Sequence, residues 1–116
     1  MLKVIIAGSR TFSDYGLLAR TCDHMLQNQD AVEIVSGGAK GADKLGELYA
    51  EDNMYDVRVF EPDWGAFGNA AGPMRNKAMA AYADALIAFW DKSSKGTASM
   101  ISVAKSAGLK VKVCEY

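Results

Sequence analysis

Three short stretches of this chain combine glycine with hydroxyl and cationic side chains: Gly8-Ser9-Arg10-Thr11, Ser36-Gly37-Gly38-Ala39-Lys40-Gly41-Ala42-Asp43 and Asp91-Lys92-Ser93-Ser94-Lys95-Gly96-Thr97. Such stretches suit an anion. Glycine lets backbone N–H groups approach a phosphate with no side chain in the way. A helix that follows adds its unpaired first-turn amides and the positive end of its dipole. Ser9, Ser36, Ser93 and Thr97 offer hydroxyl donors, and Arg10 offers a forked cation matched to phosphate. One such stretch alone is explained by a tight turn or a helix cap; three together point to binding. Neither G-x-x-x-x-G-K-[ST] nor, after the first strand, G-x-G-x-x-G is present, so a P-loop or a standard dinucleotide fingerprint is unsupported.

Other residues add to the set. Asp43 reads first as a helix cap and second as an acceptor for a ribose hydroxyl. Arg75 and Asn76 fall in the first turn of a helix, a poor place for an idle cation, which tilts Arg75 toward a ligand. Asp63 and Trp64 lie in an irregular stretch, residues 61–71, where Trp64 suits either stacking on a base or covering the core. His24 has no second histidine and the two cysteines lack metal spacing. Metal catalysis and a serine or cysteine triad therefore lack partner residues.

The elements that must position these residues alternate regularly. Residues 2–7 form a near-continuous apolar run ending at Gly8, a buried strand. Residues 14–28 carry Tyr15, Leu18, Cys22, Met25 and Leu26 at helical spacing. Residues 31–35 read as a second strand, and 43–53 as a helix with Leu45, Leu48 and Tyr49 on one face. A third strand spans 57–60. Gly72-Pro73 opens a third helix, with Met74, Ala78 and Tyr82 expected on its inner side. Residues 84–90, 96–107 and 109–113 complete the series as strand, helix and strand.

The result is a βαβαβαβαβ chain, which implies a parallel sheet covered on both faces. The expected strand order is 3-2-1-4-5, with 2-1-3-4-5 as the alternative. In an open sheet of this kind the ligand lies beyond the carboxyl ends of the strands, where the order reverses. For 3-2-1-4-5 that is between strands 1 and 4, where the glycine-bearing stretches converge.

The 116 residues allow one domain, residues 1–116, with one core. No apolar run approaches the ~20 residues that span a bilayer, and a cytoplasmic protein without membrane association is expected. The net charge of −1 exerts no bulk pull on nucleic acid, and the acidic balance argues against such a partner.

The ordered set Gly8-Ser9-Arg10, Ser36-Gly37-Gly38-Ala39 with Gly41-Ala42-Asp43, Asp63-Trp64, Ala71-Gly72-Pro73 with Arg75-Asn76, and Ile87-Ala88-Phe89-Trp90 with Gly96-Thr97 resembles the YspA-related branch of the SLOG superfamily. That superfamily includes the LOG "lysine decarboxylase-like" proteins and the Rossmann-like domain of DprA. The resemblance covers nearly the whole chain. It implies an α/β fold, a single Rossmann-like three-layer domain that binds nucleotides or nucleotide-derived ligands and needs no further cofactor. The ligand class is phosphate-bearing and nucleotide- or ADP-ribose-like, and relatives of this kind often form homodimers or larger homo-oligomers.

LOG enzymes cleave the N-glycosidic bond of a nucleoside 5′-monophosphate. Against their signature, Arg75, Met79, Gly96 and Thr97 match, Asn76 replaces a lysine and Met100 stands at the catalytic glutamate. An oxocarbenium-like transition state needs a carboxylate, and methionine supplies none. The leading expectation is therefore a binding module. The alternatives are a nucleotide N-glycosidase with a rearranged carboxylate, for which Arg75 and Asp91 are the catalytic candidates, and DprA-like binding of single-stranded nucleic acid.

Overall fold

Val4, Ile5, Ile6 and Ala7 are buried with no alternation, because both faces of their strand meet helices. In the computed structural model, which describes residues 1–116, this strand is β1 (Leu2–Gly8). It is followed by α1 (Tyr15–Leu26), β2 (Val32–Ser36), α2 (Ala42–Asp52), β3 (Asp56–Val59) and a short α3 (Trp64–Phe67). A 3-10 turn (Gly68–Ala70), α4 (Ala71–Tyr82), β4 (Ala85–Trp90), α5 (Lys95–Ser106) and β5 (Lys110–Glu115) complete the chain. All strands are parallel, in the order β3-β2-β1-β4-β5. This is the expected α/β architecture, a three-layer Rossmann-like sheet. No helix is long and apolar enough to cross a membrane.

The pleat of the sheet sorts the core into two. Val4, Ile6, Ile34, Ile87 and Phe89 pack toward α1 and α2, against Leu18, Cys22 and Tyr49. Ile5, Ala7, Val35, Leu86 and Ala88 pack toward α4 and α5, against Met79, Met100 and Ala104. Each β1 side chain thus belongs to one layer by parity alone.

Four expectations fail at the level of faces. Met74 and Ala78 of α4 point outward and Tyr82 is half-buried; the inner face is Ala71, Asn76, Met79 and Ala80. Met25 and Leu48 are exposed, and α2 turns Ala42, Asp43, Gly46 and Tyr49 inward instead. The edge strand β3 is exposed throughout, so the sheet is covered on both faces only over its centre. Residues 61–71 are also less irregular than expected, since α3 and the 3-10 turn occupy most of them.

Candidate functional site

The strand order reverses between β1 and β4, and the loops leaving their carboxyl ends are tied together by Ser9. Its amide donates to Phe89 O (3.0 Å), and its carbonyl accepts from the amides of Phe12 (3.1 Å) and Ala42 (3.3 Å). Its Oγ accepts from Asp91 N (3.2 Å). Ser9 is 1% exposed, so it joins three segments behind the site instead of facing a ligand. Gly41, the N-cap of α2 at φ 77° and ψ −127°, lies so close to this hub that a Cβ would strike the carbonyl oxygens of Ser9 and Arg10.

Ser36 is likewise fully buried. Its Oγ donates to Glu47 Oε2 (2.7 Å) and accepts from Gly38 N (3.1 Å), fixing the turn after β2. Both serines were expected to donate to a ligand, yet each spends its hydroxyl on internal bonds.

The supported loops enclose a cavity of about 490 Å³. Gly8, Arg10, Ala39, Asp43, Trp64, Arg75, Asn76, Gly96 and Thr97, all expected at the site, line it. Gly37 and Gly38 line an adjoining hollow of about 260 Å³. Ser93, Asp63 and Asp91 do not line either. Asp63 is the N-cap of α3, its Oδ1 accepting from Ala66 N (3.0 Å). Asp91 Oδ1 accepts from Ser93 N and Ser94 N (both 2.8 Å). The Ser94 and Ser93 amides hold its carboxyl below the usual carboxylate range, which ill suits a rearranged general base.

Sequence reasoning placed the hydroxyl of this loop one residue early. Ser94, not Ser93, lines the cavity and caps α5, its Oγ 2.9 Å from Thr97 Oγ1 and accepting from Thr97 N (3.3 Å). The serine three residues before Thr97, at the start of an apolar period, is the N-cap signal that marks it. With Thr97 N so occupied, the amides of Lys95 and Gly96 keep no acceptor in the protein. Lys95 and Ser99 also line the cavity, as does Met100 at the position of the LOG glutamate.

Arg75 reaches across from α4. Its Nη1 donates to Gly37 O (2.5 Å) and its Nε to Asn76 Oδ1 (3.0 Å). Burial lowers its pKa; Asp43 opposes that shift, and the positive charge of Arg10 adds to it. Neither arginine takes part in an ion pair. Asn76 is 5% exposed and its Nδ2 makes no bond within the protein. No fully buried side-chain nitrogen or oxygen is unpartnered, so this amide is open to the cavity it lines.

Asp43 departs from the expected cap. Gly41 is the N-cap, and Asp43 Oδ2 instead accepts from Ala39 N (3.2 Å), closing the loop. Burial pushes its pKa up to about 6, against the opposing pull of Ala39 N and Arg75. Between pH 4 and 6 the native state thus keeps a proton that the unfolded chain releases, and unfolding free energy falls as pH rises. Asp43→Asn is expected to stabilise the protein by about 2 kcal/mol at pH 8. The gain should vanish below pH 4, as read by urea denaturation across pH. A gain that persists at pH 3.5 contradicts this account.

Comparison with known proteins agrees with the fold and the motifs. The family model "YspA, cpYpsA-related SLOG family" matches residues 2–67. The Gene 61 protein of Mycobacterium phage D29 is 31% identical over 118 aligned positions, covering 96% of this chain and 94% of that protein. Among solved structures, DNA processing protein A (DprA) from Streptococcus pneumoniae superposes with a TM-score of 0.75 at 22% identity. The match covers 97% of this chain and 50% of that one. DprA from Helicobacter pylori, a structure concerned with its single-stranded DNA binding mode, gives 0.73 at 22% identity over 97% and 64%. The chain thus spans half to under two-thirds of these two structures.

This neighbourhood overturns the expectation set against a nucleic-acid partner. Net charge was the wrong quantity, because Arg10, Arg75 and Lys95 collect at one cavity of a nearly neutral chain. The fold, the ordered loop motifs and the matched relatives agree, and the chain belongs to the YspA, cpYpsA-related SLOG family.

Proposed function

We propose that this protein binds, and thereby senses or sequesters, a phosphate-bearing nucleotide or nucleotide-derived molecule in the cleft between the β1 and β4 loops. The observation that carries this reading is the pair of guanidinium groups, Arg10 and Arg75, both lining one cavity without a carboxylate in ion-pair range. Two like charges raise each other's energy, and an anion bridging them removes that cost. The free amides of Lys95 and Gly96 at the start of α5 supply further donors. Trp64, half-exposed and lining the same cavity, offers a stacking face for the base.

Isothermal titration with matched nucleosides and nucleotides tests this. Saturable binding of at least one nucleotide, with none of its nucleoside, is expected; equal behaviour of the two refutes phosphate recognition. Trp64→Ala is expected to weaken the bound nucleotide by about 1–3 kcal/mol, the scale of base–aromatic stacking, with little change in melting temperature. Affinity unaltered by that change would remove Trp64 from the site.

Cleavage is the alternative use of the same cleft. Asp43 is the one carboxylate on the larger cavity, and Met100 stands where LOG enzymes carry glutamate. Free base or ribose 5-phosphate in the incubated samples would establish turnover. Single-stranded nucleic acid is a further reading, supported by the DprA neighbours. Oligonucleotide affinity that falls steeply with added salt would support it, and no binding at low salt would remove it.

A further inference from the structure

The sheet has two open edges, and they are built differently. On β5 the exposed Lys110 and Lys112 blunt the edge with charge of one sign, a common guard against pairing with another strand. On β3 all four residues, Asp56, Val57, Arg58 and Val59, are exposed, and the two charges are opposite in sign. We infer that β3 is a docking edge for a second copy of this chain, paired antiparallel about a two-fold axis at Val57 so that two five-stranded sheets become one. This edge lies away from the cleft, and the inference is independent of what the cleft holds.

The ladder fixes which backbone groups are free. Phe60 N donates to Ser36 O (2.8 Å), so Asp56, Arg58 and Phe60 turn their backbone groups toward β2, and Val57 and Val59 turn theirs to the open side. The register with β2 also sorts the side chains. Val57 and Val59 share the face of Ile34, toward α2, and are 41% and 40% exposed there. Asp56 and Arg58 share the face of Val35, toward α4. Arg58 is held on that face over the rings of Phe60 and Tyr82, 5.2 and 4.8 Å from their centroids.

Antiparallel pairing needs outward-turned residues to meet outward-turned residues, so the axis must fall on a residue and not between two. Centred on Val57, the two copies of that residue exchange both backbone bonds. Asp56 then faces Arg58 of the second copy, and Arg58 faces its Asp56, across the closely spaced pairs of the ladder. Neither side chain has an ion pair within its own chain. On the α2 side, valine meets valine. Centred on Asp56 or on Arg58, the same strands set like charges directly opposite each other. Centred on Val59, Asp56 faces Pro62 and both ion pairs are lost. One register of self-pairing is thus selected by charge. The axis sends the carboxyl ends of the two sheets in opposite directions, so each copy keeps its own cleft.

The test is analytical ultracentrifugation of the intact protein over a range of concentrations, with circular dichroism to check folding. A dimer of the 12.5 kDa chain is expected. Asp56→Arg and Arg58→Asp, each alone, set like charges at both cross-strand pairs and should raise the dissociation constant by about tenfold or more. Mixed in equal amounts, the two variants regain opposite charges at both pairs, and the mixture should dimerise within about threefold of the unaltered chain. If either single variant fails to fold, the double variant Asp56→Arg/Arg58→Asp carries the test, since it reverses both pairs and should dimerise like the unaltered chain. A chain that stays monomeric up to about 1 mM overturns the inference. A dimer indifferent to both single substitutions places the contact on another face and overturns it as well. Weakened single variants with no recovery in the mixture, or a monomeric double variant, overturn the register and with it the proposal.

Discussion

Joint replacement of Arg10 and Arg75 by alanine is expected to weaken nucleotide binding by about 2–4 kcal/mol, on the order of 100-fold. Each guanidinium contributes about 1–2 kcal/mol as a charge-assisted donor. The single variants separate binding from folding. Arg10 makes no hydrogen bond or ion pair within the protein, so Arg10→Ala should lower affinity and leave the melting temperature in place. Arg75 also serves Gly37 O and Asn76 Oδ1, so its loss should lower both. Arg75→Lys keeps the charge but not the fork that spans those two acceptors, and should restore affinity only in part. Calorimetric titration paired with thermal melts reads all four proteins. Affinity unchanged in the double variant would mean that the cavity is not the binding site.

The second large effect lies behind the cavity. Gly41→Ala is expected to cost about 2–5 kcal/mol of stability in urea denaturation. The backbone there sits in a region that only glycine adopts freely, worth about 1–3 kcal/mol of strain for another residue. The added methyl would also be driven into the Ser9 and Arg10 carbonyls, an overpacking penalty of similar size. Gly96→Ala is the control, since a Cβ there meets nothing within 4 Å. It should leave stability unchanged or raise it by up to about 1 kcal/mol. Equal losses in the two variants would refute the steric account of Gly41.

The sheet was legible because its three central strands are short apolar runs and most of its helices are amphipathic, and right-handed crossovers leave few ways to join them. The reversal point, and with it the place of the cavity, followed from strand order. Helix faces were harder. On α4 the inner face carries Asn76, and Arg75 turns toward the loop after β2, so polarity no longer marks the outside. A hydrophobic period then selects Met74 and Ala78, which face solvent.

Side-chain roles within the loops were the least legible. Ser9 and Ser36 are chemically fit to hold phosphate, but whether a hydroxyl faces a ligand or a backbone amide depends on tertiary neighbours that sequence spacing does not encode. Asp43 shows the same limit. Its position at a helix start suggests a cap, while the fold aims it backward at Ala39 N.

Because Ser9 locks the segments behind the cavity from within, the rim residues carry little of the architecture. Glu61, Lys95 and Ser99 make no hydrogen bonds or salt bridges to other parts of the chain through their side chains. Substitutions at these three positions therefore alter the lining of the cavity without loosening the segments that the concealed serine joins.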